Sequence, residues 1–325
     1  MSERELSVGV VGVGSMGENH ARVYSECPEL RLAGVVDRDS PRAAEVAAKY
    51  GTESTSLEKL LSEVDAVSIC VPTRHHYAVA SDCLEAGVDV LVEKPYVLDR
   101  SEGEELIELA DANDALIQVG HIERFNPAVQ ALFDILQGVD PIAVTARRLG
   151  PPTDRQIDDS VVFDLMIHDI DIVLALFGEE PTSIAGSTRH DGQYASAQLE
   201  FSNGIIGTLV SSRVTQQKVR QLEVTAESCH ICLDFIDQSI QIHRQSHPEY
   251  TQEEGGLRYR HESVTERPMI ESGEPLKLEL ESFVGAVRDR TDPVVTPEDA
   301  LRALWIASEI EGQSQGQSVP EVMRP

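Results

Sequence analysis

The sequence predicts an α/β Rossmann domain, a doubly wound parallel sheet, followed by an α+β domain with an open, mostly antiparallel sheet. Three observations predict it. Short apolar runs alternate with helix-like stretches over the first 120 residues, and a glycine-rich turn, Gly12-Val13-Gly14-Ser15-Met16-Gly17, joins the first run to the first helix. After His121 the rhythm changes to a long series of extended segments. A chain of 325 residues exceeds what one small core organises, so residues 1–121 and 122–325 are the expected domains.

In chain order, SVGVVGV reads as a buried strand ended by glycine, and residues 16–27 as a helix. RLAGVVD is a second strand and SPRAAEVAAKY a helix with Pro41 near its start. DAVSICV is a third strand, followed by a helix over residues 75–85 and the strand DVLVEKP. SEGEELIELADAND reads as an acidic helix capped by Ser101, and ALIQVGH as a further strand. Beyond His121 come a helix over residues 127–136, the strand IAVTARRL, the polar loop GPPTDRQIDDS and one long apolar helix, VVFDLMIHDIDIVLALF. Residues 182–266 form extended segments, from TSIAGSTRH to LRYRHESVTE, with turn-like joints such as FSNG, and read as antiparallel neighbours. Two helices close the chain, LKLELESFVGAVRDR and PEDALRALWIASEIE, the second with Thr296 as cap and Pro297 at its first position.

Charge narrows the function. Asp and Glu total 56 against 27 Lys and Arg, for a net charge of −29, and lysine is confined to Lys49, Lys59, Lys94, Lys218 and Lys277. The acids are spread along the whole chain, which favours adaptation to molar salt over an acidic surface built for a basic partner. Such a surface repels nucleic-acid phosphates and anionic membranes. No run approaches the roughly 18 apolar residues of a membrane span, and the opening MSERELSVGVVGVG lacks the pattern of a secretion signal, so a cytoplasmic location is expected. Five cysteines fit a reducing compartment. Cys229-x-x-Cys232 followed by His243-x-x-x-His247 imitates a zinc-finger spacing, but the intervening LDFIDQSIQI reads as strand-turn-strand rather than a ligand-bearing helix, and no metal is expected.

The chemistry-bearing residues lie in three places. In the glycine turn, Gly12 makes the tight bend, Gly14 lets backbone approach a pyrophosphate, and Gly17 permits close helix–strand packing, while Ser15 and Met16 open a helix whose N–H groups face the phosphates. Asp37 ends the next strand twenty residues after Gly17, where a ribose-binding acid is expected. It favours NAD over NADP, although the adjacent Arg38 could hold a 2′-phosphate. Glu93-Lys94-Pro95 ends a buried strand at the carboxyl edge of the sheet, where such sheets bind ligands; a structural Lys–Glu pair is the alternative. In the long helix Asp164 and His168 are four apart on one face, with Asp171 beyond. A carboxylate there could orient an imidazole for proton transfer, or His168 could be a buried histidine satisfied by its neighbour.

Glu93-Lys94-Pro95 after VDVLV, the upstream Val71-Pro72-Thr73-x-x-His76, and Asp164-x-x-x-His168-Asp169-x-Asp171 together resemble the glucose-fructose oxidoreductase / inositol dehydrogenase / rhizopine-catabolism (Gfo/Idh/MocA) family. The resemblance runs from the first strand to about Gly178. It implies Lys94 as the catalytic lysine, His168 as acid/base, and Asp164 as the acid that binds and polarises substrate. It places Pro72, Thr73, His76 and Glu93 at the cofactor, and Arg124 and Asn126 near the nicotinamide and substrate. One departure is Asp159-Ser160-Val161-Val162-Phe163, where many members carry a glycine run. The segments GHIERFNPAV and HDIDIV are most similar to members that oxidise the C3 hydroxyl of UDP-N-acetylglucosamine, with an inositol-type polyol dehydrogenase or a non-catalytic NAD(P)-binding regulator as alternatives. Arg124, Arg147, Arg148, Arg155 and Arg213 are the cations available to a diphosphate. A small-molecule sugar or nucleotide-sugar substrate, NAD, and a homodimer or homotetramer are the expected partners.

Salt should stabilise this chain, because about 1 M electrolyte shrinks the screening length to ~3 Å and relieves repulsion among the acids. Thermal midpoints across a KCl series are expected to rise; a flat or falling series would revive the basic-partner reading.

Overall fold

Apolar runs become most of a wholly parallel sheet in the computed structural model, which describes residues 5–152, 159–245, 249–253, 256–260 and 262–314. Its strands are β1 (Leu6–Val11), β2 (Leu30–Val36), β3 (Glu53–Ser54), β4 (Ala66–Ile69), β5 (Asp89–Glu93) and β6 (Ile117–Gly120), in the order β3-β2-β1-β4-β5-β6. Every residue of β4, β5 and β6 is buried, as strands covered on both faces require. The helices between them are α1 (Ser15–Glu26), α2 (Ser40–Tyr50), the short α3 (Leu57–Leu61), α4 (His76–Glu85) and α5 (Arg100–Asn113). Helix α2 begins where the Asp39 side chain accepts the Arg42 N–H at 3.2 Å, and ends at Gly51, whose φ of 69° is left-handed. Chain direction away from β1 reverses between β1 and β4, so the loops after these strands flank the crevice typical of such sheets. Ser101 is not the cap of α5. Arg100 is already helical and pairs with Glu104 one turn on, which leaves Asp99 at the cap position.

The chain then forms α6 (Pro127–Leu136) and the strand β7 (Pro141–Leu149). A π-helical turn, Val162–Met166, leads into α7 (Ile167–Phe177). Next come β8 (Ser183–Arg189), β9 (Tyr194–Glu200), β10 (Ile206–Ser212), β11 (Val219–Ala226), β12 (His230–Asp234), β13 (Ser239–Gln245), β14 (Glu249–Glu253), β15 (Gly256–Arg260) and β16 (Ser263–Glu266). Eight of these strands form one sheet in the order β16-β13-β12-β11-β7-β10-β9-β8, and β14 pairs with β15 alone. The expectation of antiparallel neighbours throughout needs one correction: β10 runs parallel to β7. Strands β10 and β11 are joined by a short link and run in opposite directions on either side of β7, so one of the two must run the same way as β7. LRYRHESVTE is likewise not one strand but divides between β15 and β16. Alternate residues Val144 and Ala146 of β7, Leu222 and Val224 of β11, and Ile231 and Leu233 of β12 make the buried face. The expected zinc look-alike spans β12, a turn and β13, with His247 outside the described residues.

The last helices, α8 (Pro275–Asp289) and α9 (Pro297–Ser314), correct the domain boundary. One compact unit holds the described residues up to Phe125 together with Glu274–Trp305; the other holds Asn126–Gly273 and the chain from Ile306. The cause lies in α8, whose apolar stripe Leu276, Leu280, Phe283, Val284 and Val287 joins Val8, Val10, Val23 and Tyr24 in a single core. The Val119 N–H also donates to Val295 O at 3.1 Å. Thr296 caps α9 as expected, accepting the Asp299 N–H at 3.2 Å. Among the described residues no helix is long and apolar enough to cross a membrane.

Candidate active site

The glycine turn is built by close approach. Gly12 has φ of 88°, and a Cβ there would sit 2.7 Å from Val71 N. A Cβ on Gly17 would fall 1.8 Å from the Gly12 carbonyl oxygen, so α1 lies directly against the loop that starts it. Gly14 meets nothing within 4 Å, which leaves its face open to a ligand. No side chain caps α1. The N–H groups of Ser15, Met16 and Gly17 therefore have no acceptor within the helix and, with the helix dipole, suit a pyrophosphate.

Asp37 does more than await a ribose. Its Oδ2 accepts the Val13 N–H at 2.7 Å and its Oδ1 the Asp39 N–H at 2.9 Å. Arg42 donates Nε to Val13 O at 3.1 Å and also pairs with Glu18, so the Val13 peptide is clamped from both sides. Arg38 is exposed beside Asp37. Pro72 and Thr73 sit at the carboxyl end of β4, where a short 3-10 turn begins.

Two residues expected at the cofactor are held in the interior by protein partners. His76 is 1% exposed, with Nδ1 2.9 Å from Pro95 O and Nε2 2.9 Å from Val71 O, so it ties the loops after β4 and β5 together. Burial holds this imidazole below its ordinary range, so it is neutral at pH 7. Glu93 is also buried. Its Oε1 accepts His20 Nε2–H at 3.1 Å and its Oε2 the backbone N–H of half-buried Lys94 at 3.2 Å. Burial alone would raise this carboxyl, but the His20 hydrogen bond and the Lys94 charge hold it below its usual value. Arg124 pairs with Asp299 at 3.5 Å.

In the other unit, Asn126 is the buried cap of α6, accepting the Ala128 N–H at 3.1 Å and donating Nδ2 to Phe235 O at 3.1 Å. His168 is 8% exposed on α7, a helix buried throughout from Ile167 to Leu174. Asp164 lies on the π-helical turn and its Oδ2 accepts Arg213 Nη2–H at 3.0 Å. Arg148, 4% exposed, grips Asp169 through Nε at 3.1 Å and Nη2 at 2.8 Å, with its guanidinium 4.8 Å from the Phe235 ring centroid. Arg147 points to the opposite sheet face, bonded to Gln221 and Glu223 at 2.9 Å each. Arg124, Arg147, Arg148 and Arg213 each have an acidic partner, and Arg155 lies outside the described residues.

His20, Glu279 and the Arg148–Asp169 pair escaped the sequence reading. Glu279 had a visible signal: it falls in the stripe Leu276, Leu280, Phe283, a position that a helix buries. Its side chain is 0% exposed and neither carboxylate oxygen has a partner among the described residues.

A dinucleotide cradle on a Rossmann sheet, with a lysine at the carboxyl edge, defines the class: a nicotinamide-dependent oxidoreductase. Comparison with known proteins agrees. Residues 6–121 match the oxidoreductase family with an NAD-binding Rossmann fold, and residues 142–231 the GFO/IDH/MocA C-terminal domain. The chain belongs to the GFO/IDH/MocA oxidoreductase family, and NAD is its cofactor. It is 37% identical to UDP-N-acetylglucosamine 3-dehydrogenase from Acidithiobacillus ferrooxidans over 245 residues, covering 74% of this chain and 77% of that protein. A solved structure of that enzyme superposes with a TM-score of 0.85 at 32% identity, covering 96% of this chain and 98% of the other. Inositol 2-dehydrogenase from Rhizobium meliloti is 26% identical over 316 residues, covering 92% and 94%.

Burial holds the Glu279 carboxyl well above its ordinary value of 4.5, and the Glu93 charge adds to this. As pH rises above that value the unfolded chain releases a proton that the folded chain keeps, so this group's contribution to stability falls with rising pH. Glu279→Gln removes the burden. The variant's thermal midpoint should gain on the wild type between about pH 5 and pH 8; a constant difference would contradict a neutral Glu279.

Proposed function

We propose that this chain oxidises the C3 hydroxyl of UDP-N-acetylglucosamine, or of a closely related nucleotide sugar, with NAD in preference to NADP. The observation that carries this reading is the full-length likeness to UDP-N-acetylglucosamine 3-dehydrogenase at 32% identity, together with the presence of Lys94, Asp164 and His168. Nicotinamide, when bound, supplies the hydride acceptor. The N–H groups that open α1 hold the pyrophosphate, and Asp37 accepts from the ribose hydroxyls while its charge disfavours a 2′-phosphate. His168 takes the hydroxyl proton as hydride leaves the same carbon. The Lys94 ammonium stabilises the negative charge that develops on the oxygen. Asp164 orients the sugar, its carboxylate held by Arg213.

A second reading has its own support. Arg147, Arg148 and Arg213 are all occupied by protein acceptors, which favours a substrate without a diphosphate, a free polyol of the inositol type. The deciding assay supplies UDP-N-acetylglucosamine, free N-acetylglucosamine and myo-inositol, each with NAD and NADP, and follows formation of the reduced cofactor. Turnover of the nucleotide sugar is expected, with loss of about 10²-fold or more in His168→Ala. Turnover of inositol alone would establish the polyol reading, and no turnover of any alcohol the regulator reading.

Asp37→Asn keeps an acceptor for the Val13 N–H but loses the charge. It should shrink the ratio of NAD to NADP affinity by about tenfold, roughly 1.4 kcal/mol. An unchanged ratio would remove Asp37 from cofactor selection.

A further inference from the structure

His20 stands on α1 three residues after Gly17, on the helix whose start faces the cofactor, and it is fully buried. It reaches across to β5, where Nε2 donates to Glu93 Oε1 at 3.1 Å. The other oxygen of that carboxylate accepts the Lys94 backbone N–H at 3.2 Å. A buried carboxylate depends on the donors that replace water, and here the two oxygens divide them between a helix and the turn carrying the lysine. Gly120 closes the space from the side: a Cβ there would sit 3.2 Å from Glu93 Oε2, so the carboxylate has little room to turn.

We propose that His20 is a positioning residue for Lys94, acting through Glu93 to fix the turn from which the lysine extends and to tie it to the cofactor helix. The proposal rests on the reading of Lys94 as the catalytic lysine. Its physical content is a chain of two hydrogen bonds, α1 to Glu93 and Glu93 to Lys94, with no exposed link. The groups facing the pair are Cys70, whose sulfur lies within 4.8 Å of the His20 and Glu93 ligand atoms, and the Lys94 ammonium; the Glu93 charge in turn raises the Glu279 carboxyl. Burial pushes the Cys70 thiol up and Glu279 is held neutral, so neither competes with His20 for the carboxylate. A cation bridging His20 Nε2, Cys70 and Glu93 would break the His20–Glu93 bond.

The test uses full-length His20→Ala and His20→Gln. A misplacement of about 1 Å can lower a rate ~10²-fold, so His20→Ala should lose about 10- to 100-fold in kcat with NAD affinity, read by calorimetry, changed by less than about threefold. His20→Gln, which restores an amide N–H, should recover part of the rate. An independent readout needs no substrate. The five lysines are reductively methylated with carbon-13, and the Lys94 signal is assigned with Lys94→Arg. Either His20 substitution should move the Lys94 signal and its titration while the other four stay in place. Failure of the wild type to oxidise a nucleotide sugar would sink the substrate reading, and the lysine signal would still decide this one. An unmoved Lys94 signal, an unchanged kcat in a variant whose thermal midpoint has merely dropped, or a full equivalent of zinc lost on Cys70→Ser would each overturn it.

Discussion

Helix α1 meets its own starting loop at a separation no side chain tolerates, since a Cβ at Gly17 would lie 1.8 Å from the Gly12 oxygen. That approach fixes how α1 leaves the loop after β1, and with it the direction of the unpaired N–H groups at its start. The loop is then held as if already occupied: Asp37 takes the Val13 N–H and Arg42 takes the Val13 carbonyl. Little ordering is left for a cofactor to impose, which is how preorganisation turns contacts into affinity. The same helix carries His20 into the interior, so the cradle and the Glu93–Lys94 turn share one rigid support.

Beneath an acidic surface, the interior treats each charge differently. Glu93 stays ionised because donors surround it, whereas Glu279 has none among the described residues and keeps its proton. Arg148 and Asp169 solve the problem by mutual neutralisation, with two short bonds and an aromatic face over the guanidinium. Such a pair contributes little net stability compared with an apolar substitute, but loss of one member leaves a buried charge. Its position beside His168 on α7 makes it a constraint on that helix's rotation and depth.

The parallel sheet was legible because its strands are continuous apolar runs and its helices announce themselves with caps such as Asp39 and Thr296. Gly12, Gly17 and Asp37 were legible because a dinucleotide imposes a fixed spacing. What escaped detection depends on contacts distant in sequence. Glu279 reaches Glu93's surroundings across more than half of the chain, and β7 has β10 as a parallel neighbour only because a later strand pair is laid down on its two sides. His76 and Asn126 carry protein contacts that no motif announces. Both occupy positions where a ligand contact is expected, and both spend their polar atoms on backbone groups. The return of α8 to the first unit was encoded in its apolar stripe, but which core that stripe would join was not.

The π-helical turn Val162–Met166 accommodates more backbone per turn than the α-helix it feeds, with Ile167 N–H closing onto Val162 O. Asp164 sits inside it and His168 just after, so the angular offset between carboxylate and imidazole is set by winding as much as by sequence spacing. A chain shortened by one residue here could keep every functional side chain and still present them on different sides of the rod. Homologous segments that differ by a single insertion or deletion at this point therefore differ in the relative facing of these two side chains, a property that residue-by-residue alignment scores as a gap and nothing more.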